Sequence, residues 1–220
     1  MIQEKMIKLN KLISNQSSLV TKMIQQNIAG LKNRDRQQFA KIIETDEPKV
    51  NKLELEIHKL CVSTIALFQP EAKYLRIIIT ALQTNNTIER MGDIAVNIAE
   101  GAVLLAQNPE LQQPDDLFTM LAKADSMFQD SITAFINGNS GLAKQICCRD
   151  EEVDALRDRL FNKILKNMKN DNTVIDNSMH ILKIAKDVER FADLATRIAT
   201  DVVYMNEGKV IRHKDIPAAE

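Results

Sequence analysis

The chain has 220 residues, with 29 Lys and Arg against 30 Asp and Glu, three His, three Cys, six Gly, five Pro and no Trp. Since 45% of them are hydrophobic, one or two domains can bury a core without disulfides or a structural metal, and a net charge of −1 lacks the basic excess of a nucleic-acid binder. So few Gly and Pro give too little turn punctuation for an all-β sandwich or barrel, and with neither GxGxxG nor GxxxxGK[ST] present a nucleotide-binding α/β fold is disfavoured.

Met1 to Ile13 mixes Lys, Glu, Gln and Asn among its apolar residues, so no signal-peptide core is expected. Apolar residues then recur at three- and four-residue spacing in long segments, the signature of amphipathic helices. Polar breaks fall at Asn33-Arg34-Asp35, Gln69-Pro70, 108–115, Asn137-Gly138-Asn139 and Asn170-Asp171-Asn172. They divide the chain into six predicted helices, at 3–33, 36–68, 71–106, 115–136, 139–169 and 173–206. Pro70 and Pro114 stand where a helix can begin. Pro48 falls inside the second helix, where it removes a hydrogen bond to residue 44 and predicts a kink or restart near Thr45. The apolar run around Ile77-Ile78-Ile79 is far short of the roughly 20 residues of a membrane span. Three Cys cannot all pair and Cys147 adjoins Cys148, which predicts a reduced, cytosolic protein.

The segment 107–114 is the expected linker between two halves that repeat each other. Residues 89–103 read ERMGDIAVNIAEGAV and residues 189–203 read ERFADLATRIATDVV. Glu47-Pro-Lys-Val-Asn51 likewise matches Asp150-Glu-Glu-Val-Asp154. An all-α fold follows, a tandem pair of three-helix bundles over 1–108 and 115–213.

On the third helix Leu75, Ile78 and Leu82 share a strip that continues as Glu89, Asp93, Val96 and Glu100, with Asn97 at its edge. A seam expected to face the core therefore turns acidic, and the sixth helix repeats the change at Glu189 and Asp193. Glu47, Asn51, Glu54, His58 and Cys61 form one strip of the second helix, while Asp150 and Asp154 on the fifth are followed by Arg157. Side-by-side packing would bring paired carboxylates together in each half, where like charges raise one another's pKa. A multivalent cation is the simplest compensation, and a set of oxygen donors suits hard or borderline ions. One ExxxD alone is a weak signal, since such pairs usually face water or meet a Lys or Arg; four of them in two repeats are not. His58 reads as a polar residue, Cys61 as core, and His180 and His213 have no partner pattern.

Glu89-Arg90-Met91-Gly92-Asp93-Ile94-Ala95-Val96-Asn97-Ile98-Ala99-Glu100 resembles the signature of the PhoU family, and Glu189-Arg190-Phe191-Ala192-Asp193 repeats it. Phe68-Gln69-Pro70 with Leu75-Arg76, and the ending Gly208-Lys209-Val210-Ile211-Arg212-His213, are similar to the same family. The resemblance implies multinuclear metal clusters, iron or zinc, with other divalent ions as alternatives. Their ligands would be Glu47, Asn51, Glu89 and Asp93 in the first half and Asp150, Asp154, Glu189 and Asp193 in the second. Glu54, Asn97 and Glu100 are secondary candidates. Asn51 replaces an acid of many members, Ala192 replaces Gly, and Arg197 and Thr200 stand where Asn and Glu are expected, with Arg197 adding positive charge beside the second set.

The same resemblance implies a non-enzymatic regulator of phosphate transport and phosphate-starvation signalling. Its partners would be the ATP-binding subunit of a phosphate ABC transporter and a sensor histidine kinase, and it would form a homodimer. Two rival readings remain open: an all-α metal-dependent hydrolase of nucleotides or phosphate compounds, and a metal-free helical adaptor. No ExxH of the di-iron bundles occurs, the nearest pair being Glu54 and His58.

Overall fold

The computed structural model describes residues 1–107 and 114–208. Most of the predicted linker (108–113), and the family-like ending beyond Gly208 with His213, lie outside the described residues. All regular structure within them is helical: α1 (Ile2–Asn33), α2 (Arg36–Lys41), α3 (Glu47–Phe68), α4 (Ala72–Leu105), α5 (Asp115–Asn137), α6 (Ser140–Asn170) and α7 (Ile175–Glu207). A π-helical turn (Ile42–Asp46) joins α2 to α3, and a 3-10 turn (Asn172–Val174) leads into α7.

Each boundary has a local cause. α1 ends where Arg34 turns left-handed (φ 56°), and Asp35 opens α2 by accepting from the Gln37 N–H at 2.9 Å, a side-chain N-cap. Gln69 (φ 42°) stops α3 ahead of Pro70, and Gly138 (φ 59°) stops α5, where glycine carries no Cβ penalty. Asn139 caps α6 by accepting from the Leu142 N–H at 3.0 Å.

The predicted second helix is interrupted near the expected place. Pro48 has no N–H to offer the carbonyl of residue 44, and the Glu47 N–H reaches back five residues to the Ile42 carbonyl. The π turn that results aims Asp46 inward, where it is fully buried and held by Lys22 of α1 at 2.9 Å. Pro48 itself sits in the first turn of α3, where a missing donor costs little.

The first half packs α1, α3 and α4 together and the second packs α5, α6 and α7. The halves do not merely follow each other. α4 lies along α7, and α1 touches α5, so the buried apolar side chains of both halves form one continuous core. Gly101 permits this approach: a Cβ there would stand 3.0 Å from Ile184 Cγ1 of α7. In the second half Phe128 and Phe191 meet edge to face at 5.5 Å between centroids, a favoured aromatic geometry. Gln25 donates to Asp125 at 3.4 Å across the α1–α5 contact. None of the described helices is long and apolar enough to cross a membrane.

Candidate metal centres

In the first half α3 contributes Glu47, Asn51 and Glu54, and α4 contributes Glu89 and Asp93. Starting α3 at Glu47 makes that residue part of the group despite Pro48. Asn51 donates its amide to Glu47 Oε1 at 2.5 Å, and Asn51 Oδ1 is left buried without a partner. The fully buried Asn85 donates to the Glu54 carbonyl at 3.2 Å and to its carboxylate at 3.4 Å, a contact with no counterpart in the sequence reading.

Electrostatics ties these side chains together. Burial lifts Glu89 above its usual range, and the charges of Asp93, Glu54 and Glu47 push the same way against Arg90. Asp93 is raised as well, first by desolvation and then by Glu47, with Arg90 opposing. None of the ion pairs among the described residues includes Glu47, Glu54, Glu89 or Asp93. The expected core-facing seam is nonetheless only half realised. Glu89 is half-buried whereas Asp93 and Glu100 are exposed, because the strip runs along the edge of the α3–α4 crevice rather than through the bundle interior.

The second half is built differently. Arg157 of α6 places Nη1 2.5 Å from Glu189 Oε1 and 3.2 Å from Asp154 Oδ1. Its Nη2 lies 2.9 Å from Asp158. Burial disfavours the guanidinium, but the Asp158 hydrogen bond and the charges of Glu189 and Asp154 more than offset this and raise its pKa. Thr196 donates to Asp150 at 3.2 Å. Arg157 thus supplies a cation to Asp154, Asp158 and Glu189; Arg197, the expected one, is exposed and its charge acts on Asp201.

Asp93 and Asp193 approach a shared place. Both line a groove of about 280 Å³ between α4 and α7, with Arg90, Asn97 and Arg190. A larger groove of about 600 Å³ on the second half runs from Arg157 and Glu189 past Phe161, Met179 and Leu182. His58 is exposed and Cys61 is fully buried. Among the described residues no three His, Cys, Asp or Glu side chains are grouped closely enough to hold a metal ion.

The residues test differently for a metal cluster. The first half offers oxygen donors, an orphaned amide oxygen at Asn51 and no ion-paired base, donor types that suit a hard or borderline cation, but it does not gather them to ligand distance. The second half already holds a guanidinium among its carboxylates and does not fit.

Helix order, internal repeat and paired acidic helices define a duplicated helical-bundle protein with acidic crevices. The PhoU domain model matches residues 13–102 and again 117–202, and the chain belongs to that family. It is 32% identical to the phosphate-specific transport system accessory protein PhoU homolog of Aquifex aeolicus over 97% of this chain and 93% of that protein. The homolog of the same name from Clostridium acetobutylicum is 30% identical over 90% of each chain. The crystal structure of PhoU from Pseudomonas aeruginosa superposes with a TM-score of 0.90 at 24% identity, covering 95% of this chain and all (100%) of that one. The phosphate transport system regulatory protein PhoU from Streptococcus pneumoniae gives 0.89 at 26% identity, over 96% and 100%.

Proposed function

We propose that this chain is a non-enzymatic, cytosolic regulator of phosphate transport and of the phosphate-starvation response. It works by protein–protein contact with the ATP-binding subunit of a phosphate ABC transporter and with a sensor histidine kinase, and it does so as a homodimer. The observation that carries the reading is the PhoU domain matched in both halves, together with relatives named for an accessory role in phosphate transport over nearly the whole chain. Such a role asks for a stiff helical surface that a partner can recognise, and a single core running through both halves supports it.

The reading includes a multinuclear iron or zinc cluster held by Glu47, Asn51, Glu89 and Asp93, with Glu54 beside them. A bound cation would offset the neighbouring charges that help to raise Glu89 and Asp93 and would tie α3 to α4. Like charges keep carboxylates apart, which accounts for a donor set that is not closed to ligand distance.

The test is co-purification from phosphate-replete cells, probed for the transporter ATPase and the sensor kinase, with a gene deletion scored for the starvation response. Recovery of both proteins and constitutive starvation signalling in the deletion strain are expected. Recovery of neither, with normal repression in the deletion strain, would overturn the assignment. Sedimentation of the purified chain reads the dimer.

A further inference from the structure

We propose that Arg157 stands in for a metal ion in the second half, so that only the first half holds a cation. The proposal rests on reading the first acidic set as a cation site. The two repeats supply the comparison. Asn51 and Asp154 hold matching places, and three residues on from each stand Glu54 and Arg157. One repeat thus adds an acid at the position where the other adds a base. In the first half Glu54 enlarges a group of carboxylates that no ion pair offsets. In the second, one planar guanidinium reaches Glu189, Asp154 and Asp158 at 2.5, 3.2 and 2.9 Å.

The chemistry supports the substitution. A guanidinium is permanently charged and presents donors in a rigid fork matched to carboxylates. Arg157 is half-buried, with its side chain 32% exposed, and Glu189 is only 22% exposed, so the pair is screened less than one in open water. A metal would have to expel this side chain from its acids before binding them. The second half gains the structural effect of a cation, α6 fastened to α7, without dependence on metal supply.

The experiment measures bound metal and thermal stability on the full chain, stripped with chelator and reloaded with Zn(II) or, anaerobically, Fe(II). Four variants are compared with the wild type: Glu89→Gln/Asp93→Asn, Glu189→Gln/Asp193→Asn, Arg157→Gln and Arg157→Lys. The first pair should abolish metal content, and the second should leave it unchanged. Arg157→Gln should melt lower when metal-free, should take up about twice the wild-type metal if the two sites fill independently, and should regain melting temperature on loading. Arg157→Lys, which keeps the charge, should remain at the wild-type content. Loss of metal from the Glu189→Gln/Asp193→Asn protein would overturn the proposal, as would a folded Arg157→Gln protein with no added metal. A wild type that binds no metal would remove the cation reading of the first half. The substitution proposal would then be decided by Arg157→Gln alone, with uptake supporting it and its absence overturning it.

Discussion

Lys22 Nζ of α1 stands 2.9 Å from the carboxylate of Asp46, which is fully buried at the end of the π turn. Lys49 meets the same group at 3.2 Å. Truncating a partner of a buried charge leaves that charge uncompensated, so Lys22→Met should cost about 1–3 kcal/mol in urea denaturation. Lys49→Met should cost less, since Lys49 is 53% exposed and lies within reach of its own helix start. Burial alone would raise the Asp46 pKa, but its hydrogen bonds from Lys22 and Lys49 and their charges leave it lowered. The contribution is therefore present above the ordinary carboxylate pKa of about 4. It is lost as pH falls through the lowered folded value, and the gap between wild type and Lys22→Met should close in acid.

Asp125 and Asp201 behave in the opposite sense. Burial raises both, with Gln25 and Gln129 opposing at Asp125 and Arg197 opposing at Asp201. In the window between the unfolded pKa of about 4 and these raised values, the folded chain binds protons more readily than the unfolded one. Their effect on stability therefore improves as pH falls through the raised values and is lost as pH rises. Asp125→Asn should be more stable than wild type at about pH 7, with a smaller difference at about pH 5, in paired chemical denaturation.

The closeness of α4 to α7 depends on the missing side chain at Gly101. A valine there must displace Ile184, whose Cγ1 would lie 3.0 Å from the new Cβ. Overpacking of this kind costs about 1–3 kcal/mol, so the melting temperature of Gly101→Val should drop. Adding Ile184→Ala should return part of the loss, a coupling readable in a double-mutant cycle.

The three thiols should separate by rate. Cys148 is exposed, Cys147 is half-buried and Cys61 is fully buried. Burial pushes Cys61 up to about 11, and burial with the nearby Cys148 and Asp150 does the same for Cys147. Since the thiolate is the nucleophile, a colourimetric thiol titration should show one fast thiol in the folded protein and all three after denaturation.

Much of this architecture was readable in the residue order. Helical spacing placed the long helices, and their stops were visible at Arg34, Gln69 and Gly138, where the backbone turns left-handed. Pro48 marked the interruption, though a missing donor says only that the helix must adjust and not that it does so by a π turn. The acidic strips of α3 and α4 were legible as neighbours, since α3 packs on α4 and the charges of Asp93, Glu54 and Glu47 bear on Glu89. Their depth was not, because a strip at the rim of a crevice has the same periodicity as one in the core. Arg157 was noted after Asp154 but its role was missed. Only the packing of α6 on α7 reveals that its guanidinium reaches Glu189, whereas the charge of Arg197, conspicuous in the repeat, bears on Asp201.

The five-residue turn Ile42–Asp46 also sets an angular phase. Each residue of an α-helix advances the azimuth by about 100°, and a π turn holds one residue more than the regular winding would. Excising a single residue from this turn would let regular winding run from Phe39 into α3 with the downstream azimuth nearly kept. Straightening the turn with all five residues retained would instead swing the whole downstream cylinder by about one residue's step. Glu47, Asn51 and Glu54 would then rotate away from Glu89 together, while Val50 and Ile57, now sealed at 0% exposure, would be carried out of the interior. The irregular turn thus acts as the vernier that sets the azimuth of one acidic row against the other.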